Sequence, residues 1–316
     1  MALRNSLFAV SGKASFLDAR RDMSGLFVCD KNTLMPIAGI LDRSQDNLVT
    51  GRGDSMSVTV HPFNAVLNRY GALLIQNDGN VSVPLDAAPS ANSRIDVVYV
   101  KQNETRPPMS DGSDVPKLFV AKGVAAATPV APSVPAGGLA LAQVLLPAGV
   151  SNTAAAGVVI TQTYIGAAMK GDMLRVWTSA QRDAMTMVPE GTLLHNVADG
   201  CDYVRKGGKW RGWNMPWRDI NFGTNQARMW ASNGVGYIDL LTADINLTGW
   251  GSAVTVGHVS NSAFYPVIKE GLFASTRDSY LPTRVEVGTD GNVNIGYAGG
   301  PTGNRVVSTI FSYNIG

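Results

Sequence analysis

Cysteine and histidine are scarce in this 316-residue chain, and charge is sparse and evenly split. The two cysteines, Cys29 and Cys201, lie 172 positions apart, which argues against a disulfide framework and for free thiols in a reducing compartment. His61, His195 and His258 stand apart from one another and from any metal-ligand spacing, so each reads as structural or surface, and no metal or other cofactor is expected. Charged residues make up 16% of the chain, and 26 Lys and Arg against 24 Asp and Glu leave a net charge of +2. That balance lacks the clustered basic excess of a nucleic-acid surface, so nucleic acid is not an expected partner. No apolar run reaches the length of a membrane span. The opening stretch, Met1 to Val10, is too short in apolar residues for a secretory h-region, so the expectation is synthesis in the cytosol without secretory export. Glycine is plentiful, at 34 residues, but follows no Gly-X-Y period, which excludes collagen.

What is present reads as short strands joined by turns. Arg94-Ile-Asp-Val-Val-Tyr-Val100 is a β-branched run without helical spacing, bounded by turn-forming residues on both sides, and predicts a strand buried within a sheet. Its expected partners are the runs at 58–60, 72–75 and 81–83 before it, and at 117–121 and 139–146 after it. Helix is expected in two short pieces. One covers residues 15–23, with Ser15 as cap, Asp18 near its positive end and Gly25 past its close; the other covers 178–185, with a Thr178/Gln181 capping box. The proline-punctuated stretch from Gly123 to Gly138 predicts an extended arm over the surface of the first module.

Asp78-Gly-Asn-Val-Ser-Val83 is echoed by Asp290-Gly-Asn-Val-Asn-Ile295, and each predicts a hairpin in its own β domain, turning on a residue of positive φ. A calcium loop is the sharper reading of these Asp/Asn clusters, but neither has the extended ligand spacing or the closing glutamate. Arg52-Gly-Asp54 matches an adhesion tripeptide and reads more simply as a turn before the strand at Val58. All six tryptophans, at 177, 210, 213, 217, 230 and 250, fall in the second half. The first four are expected to pack a small connector and its seam with neighbouring chains, against the alternative of sugar-stacking platforms.

Residues 50 to 165 carry a resemblance. The phrases "NDGNVSV" at 77–83, "APSANSRIDVVYVKQNE" at 88–104 and "KGVAAATPVAPSVPAGGLALAQVLLPAG" at 122–149 resemble the N-terminal attachment module of minor tail or baseplate proteins of long-tailed bacteriophages. The order Arg182, Glu190-Gly191, Val197, Asp199, Tyr203-Val204, Lys206-Gly-Gly208 and Trp210 is similar to small connector modules of phage tail fibres, with Cys201 as a departure. "YPVIKEGLF" at 265–273 and "VEVGTDGNVNIG" at 285–296 resemble the jelly-roll-like head at the tip of phage receptor-binding proteins.

The expected architecture is therefore all-β: an attachment module over 1–165, a connector over 166–218 and a β-sandwich head over 219–316. The resemblance implies a non-enzymatic component of the virion tail, made in the bacterial cytoplasm, that joins other tail or baseplate proteins, forms a homotrimer and presents its head to a host cell-surface glycan. A glycan-cleaving tailspike-type enzyme and a purely architectural tail protein are the alternatives. Loops at 247–252, 260–265 and 275–280 combine aromatic rings with small polar residues, which makes Trp250, Tyr265, Arg277, Asp278 and Tyr280 the candidate receptor contacts.

Overall fold

The structure is a computed structural model, and it describes residues 15–41, 46–221, 223–242, 244–277 and 280–316. It is all-β, with 47% of residues in strands and 6% in helices. No helix among the described residues is long and apolar enough to cross a membrane. By packing, the chain divides into two compact units. One runs to Arg175 and also takes Met187–Pro189; the other comprises Val176–Thr186 and Glu190–Gly316.

The first unit opens with helix α1 (Phe16–Ser24), and its start is legible atom by atom. The Ser15 side chain accepts from the Asp18 backbone N–H, and Asp18 Oδ2 accepts in return from the Ser15 N–H at 2.9 Å, a reciprocal box that satisfies two of the orphan donors of the first turn. Gly25 follows the last helical residue, as expected, and caps it in right-handed geometry, φ −59°, rather than in the left-handed conformation common at helix ends.

Ten strands follow: β1 (Gly39–Ile40), β2 (Val49–Gly51), β3 (Ser57–Val60), β4 (Phe63–Asn68), β5 (Ala72–Asn77), β6 (Val81–Pro84), β7 (Arg94–Gln102), β8 (Pro116–Ala121), β9 (Gly138–Leu146) and β10 (Val159–Gln162). They form three sheets, ordered β1-β4-β5, β2-β3-β6 and β10-β9-β7-β8. β7, the Arg94 run, sits between β8 and β9 with both pairings antiparallel, and Val98 at its centre is fully buried. Of the partners expected for it, the 117–121 and 139–146 runs pair directly. The earlier ones form the other two sheets.

Asp96 lies in this core with Arg94. The Arg94 guanidinium donates to both Asp96 oxygens, at 3.0 and 3.1 Å, and to the carbonyls of Ala87 and Asp86, while Asp96 also accepts from the Gly123 N–H at 2.9 Å. A Cβ on Gly123 would lie 2.1 Å from the Ile95 carbonyl oxygen, so the arm can approach β7 this closely only with glycine there. Beyond Gly123 the arm is free of strand until Gly138.

The first Asp-Gly-Asn phrase is not a hairpin. β5 pairs with β4 and β6 pairs with β3, so Asn77 to Asn80 carries the chain between two sheets, and Gly79 is absent from the residues at positive φ. The second phrase is a true hairpin. The chain turns through Gly291 at φ 81° between paired strands, Val287 opposite Val293.

The chain passes from one unit to the other within β11 (Leu174–Val176). The second unit contains α2 (Ser179–Ala184), β12 (Leu193–Asn196), β13 (Cys201–Lys206), β14 (Lys209–Asp219), β15 (Gln226–Ser232), β16 (Val235–Leu241), β17 (Ile245–Leu247), β18 (Ala253–His258), β19 (Glu270–Ser275), β20 (Pro282–Val287), β21 (Asn292–Tyr297), β22 (Gly303–Arg305) and β23 (Ser308–Asn314). Thr178 caps α2 by accepting from the Gln181 N–H, and the Gln181 side chain accepts from the Trp177 N–H rather than from that of the cap residue.

One antiparallel sheet runs β12-β13-β14-β15-β16-β23, a second β18-β21-β20-β19, and β17 pairs with β22. β14 pairs with β13 through its first half and with β15 through its second, so the segments on either side of residue 219 share one sheet. The core between the sheets holds Tyr203, Phe264, Tyr313 and Met229. Gly212 and Gly236 leave room for the rings of Phe264 and Tyr313, which a Cβ would meet at 2.4 and 2.3 Å.

Candidate functional site

Three loops meet at one end of the β18-β21-β20-β19 sheet. The first, between β17 and β18, is a tight turn in which Gly249 and Gly251 take φ of 139° and 85°, values that only glycine adopts without strain. Ser252 Oγ closes it by donating to the Gly249 carbonyl at 2.7 Å. Trp250 stands at its tip, 82% exposed, with its ring edge-on to Tyr297 at 5.8 Å between centroids. The second loop joins β19 to β20. Thr276 holds it from both sides, its N–H donating to the Leu281 carbonyl and its hydroxyl accepting from the Leu281 N–H, each at 2.9 Å. Tyr280 projects from this loop 83% exposed, at φ 55°. The third loop follows β21, and in it the Tyr297 hydroxyl donates to the Gly300 carbonyl.

Arg305, itself buried, organises this end. Its guanidinium donates to the carbonyls of Pro282 at 2.6 Å, Gly299 at 2.9 Å and Pro301 at 2.6 Å, and lies over the Tyr297 ring at 4.9 Å. One planar cation thus fixes the start of β20, the third loop and the ring on which Trp250 rests. Arg277 is exposed on the second loop, tied by its N–H to the Val306 carbonyl. Asp278 lies outside the described residues.

Tyr265 is not part of this cluster. Its ring packs over Gly291, in the turn that precedes β21, and meets His258 edge-on at 6.0 Å, whereas Trp250 rests on Tyr297, the last residue of β21. Six residues of strand, roughly 20 Å, separate the two. Burial pushes the Tyr265 phenol above its ordinary pKa, as befits a packed ring rather than an open contact. The candidate site therefore comprises Trp250, Arg277 and Tyr280, joined by Tyr297 and Arg305, which the sequence alone did not single out.

A second aromatic array lies on the outer face of the larger sheet. Trp217 stacks on Trp230 at 3.9 Å, and Trp230 on Tyr237 at 5.0 Å, with 24° and 9° between the ring planes. The spacing matches that of neighbouring strands, so the rings stand side by side across β14, β15 and β16 and turn their edges, not their faces, outward.

Elsewhere, the Arg52 guanidinium is engaged by Asp54 of its own turn, at 3.0 and 2.7 Å. Both cysteines are free thiols. Burial pushes Cys201 up to about 12, so it remains a neutral thiol at physiological pH. Among the described residues no group of three His, Cys, Asp or Glu side chains is arranged to hold a metal ion. No family model matches the chain, and no curated protein matches it.

Proposed function

We propose that this protein is a non-enzymatic component of a bacteriophage tail that uses the Trp250 end of its C-terminal β domain to contact a host cell-surface glycan. The observation that carries the reading is that two largely exposed aromatic rings, Trp250 and Tyr280, stand on loops at the end of the sheet where the buried Arg305 ties the start of β20 to the third loop. A flat apolar face among polar loop groups suits the apolar face of a pyranose, and a rigid frame reduces the entropy lost on binding. In this reading the C-terminal domain is a jelly-roll-like head and the first unit attaches to tail or baseplate proteins. β5, β6 and β8, each the outermost strand of its sheet, line one groove of about 320 Å³ there, a surface suited to a protein neighbour.

Self-association, as a homotrimer, belongs to the same reading. The Asn314 N–H donates to Glu270 Oε2 at 3.1 Å, and Thr276 bridges Val307, so β19 and β23 run side by side with Phe273 opposite Ile310. Phe273 is 77% and Ile310 62% exposed, an apolar pair that a second copy would cover.

Because β14, which ends at Asp219, pairs with both β13 and β15, the segments on either side of residue 219 share one sheet, and the full chain is the proper material for a test. Labelled protein on an array of bacterial surface glycans should bind at least one saturably, with loss on Trp250→Ala and no new reducing ends. Released oligosaccharide would favour a tailspike-type enzyme, and absence of any binding that depends on Trp250 would favour a purely architectural role.

A further inference from the structure

The β13–β14 hairpin buries an arginine where its strand pattern calls for an apolar residue. Side chains of β13 alternate, so Cys201, Tyr203 and Arg205 all point inward, and Arg205 stands opposite Trp210 across the hairpin. Arg205 is only 5% exposed. Its Nε has no hydrogen-bond partner, and neither has the indole Nε1–H of Trp210. Arg205, Lys209, Trp210 and Arg211 line one pocket of about 520 Å³ with Arg182. Among the described residues Asp183 is the one carboxylate that lines it, and Asp183 is bound to Arg182 at 2.9 Å. Glu190, close by, accepts from the Gly208 N–H at 3.0 Å. Among the described residues no carboxylate pairs with Arg205, Lys209 or Arg211.

A buried guanidinium without a counter-charge and a buried indole N–H without an acceptor both cost free energy, and one multiply charged oxyanion in the pocket relieves both. Phosphate fits the donor set, since the guanidinium fork meets two of its oxygens at once while the indole N–H meets a third. The volume falls within the range of small-ligand sites, large enough for the group that carries the phosphate as well. We infer that this pocket binds a phosphate monoester or pyrophosphate group, with Arg205 and the Trp210 indole as its inner donors. The inference stands on the second unit alone and is independent of the function proposed above.

The test is an NMR titration of the full-length protein with sodium pyrophosphate at constant ionic strength. It follows the Trp210 indole N–H, identified by its loss in Trp210→Phe. A saturable shift with Kd at or below about 1 mM is expected, about −4 kcal/mol. Arg205→Met should abolish binding without lowering the melting temperature, because it removes a buried charge that has the Trp210 ring, 5.6 Å away, but no carboxylate to offset it. Parallel titrations with glucose 6-phosphate, adenosine monophosphate and glucose distinguish a sugar-phosphate from a nucleotide source. No saturable shift, an equal response to chloride, or undiminished binding by Arg205→Met would overturn the inference, as would a marked fall in melting temperature for Arg205→Met.

Discussion

Arg94 and Asp96, two residues apart on one strand, form an ion pair at 3.0 Å in which both side chains are almost wholly withdrawn from solvent. The pair is fully bonded: the arginine also holds the Ala87 and Asp86 carbonyls, and the carboxylate also takes the Gly123 N–H. Breaking it by Asp96→Ala leaves a buried cation and an unpaired amide, and is expected to cost about 3–5 kcal/mol. Replacing both partners, Arg94→Met with Asp96→Leu, should recover a large part of that loss. Urea unfolding followed by circular dichroism checks both. Equal stability for the single variant and the parent would show the pair to be dispensable.

A second network in the same unit makes stability depend on pH. Glu104 is bonded by Arg20 and Arg69, and Asp111 by Arg69 and by Lys101 at 2.6 Å. Burial pushes Glu104 up, but the two arginines outweigh it and hold the carboxyl below its usual range; Asp111 is lowered as well, chiefly by the Lys101 hydrogen bond. Both folded-state values lie below those of the unfolded chain, about 4.3 for Glu and 3.9 for Asp. The stabilisation is therefore complete above about pH 5 and fades as pH falls through the depressed values. Melting temperatures measured from pH 7 to pH 2 should drop in that acid window. The drop should be shallower in Arg69→Met, which starts from lower stability at pH 7.

How much of this was legible in the sequence depends on how local its cause is. The Ser15 cap with Asp18 in the first turn and the buried β7 run rest on short patterns and are found where expected, whereas the reciprocal box forms at Ser15/Asp18 and not at Thr178/Gln181. The two Asp-Gly-Asn phrases show the limit. Asp78-Gly79 and Asp290-Gly291 are locally alike, but β5 and β6 each have a stronger partner elsewhere, β4 and β3, so the first turn bridges sheets and only the second closes a hairpin. The hairpin at Asn233-Gly234, with φ of 51° and 79°, has a clear local cause, the Asn-Gly dipeptide between Trp230 and Tyr237. At the candidate site, the glycines around Trp250 announced an exposed tip. Arg305, 55 residues later, is placed by pairing between β17 and β22, and no local pattern reveals that.

The apolar pair Phe273 and Ile310 makes a prediction about assembly. If copies of the chain meet on this face, Phe273→Asp with Ile310→Asp should shift the protein toward monomer in light scattering at micromolar concentration. Stability of the single chain should change little, because exposed substitutions typically stay within about 0.5 kcal/mol. An unchanged mass for the variant would show that any self-association uses another surface.

The separation of Trp250 from Tyr265 along β21 yields the sharpest test of the proposed contact. Both rings were candidates on composition, but one is open at a loop tip and the other covers the Gly291 turn, where its hydroxyl lies 3.4 Å from His258 Nε2. Trp250→Ala removes a ring that touches little but the edge of Tyr297, so it should leave the melting temperature within a degree or two while reducing glycan binding at least tenfold. Tyr265→Ala uncovers a packed hairpin, so it should lower the melting temperature by several degrees while leaving affinity at Trp250 unchanged, because the two lie about a strand length apart. The reverse pattern, binding lost with Tyr265 and kept without Trp250, would move the contact surface to the Gly291 turn, where His258 rather than Arg305 frames the aromatic ring.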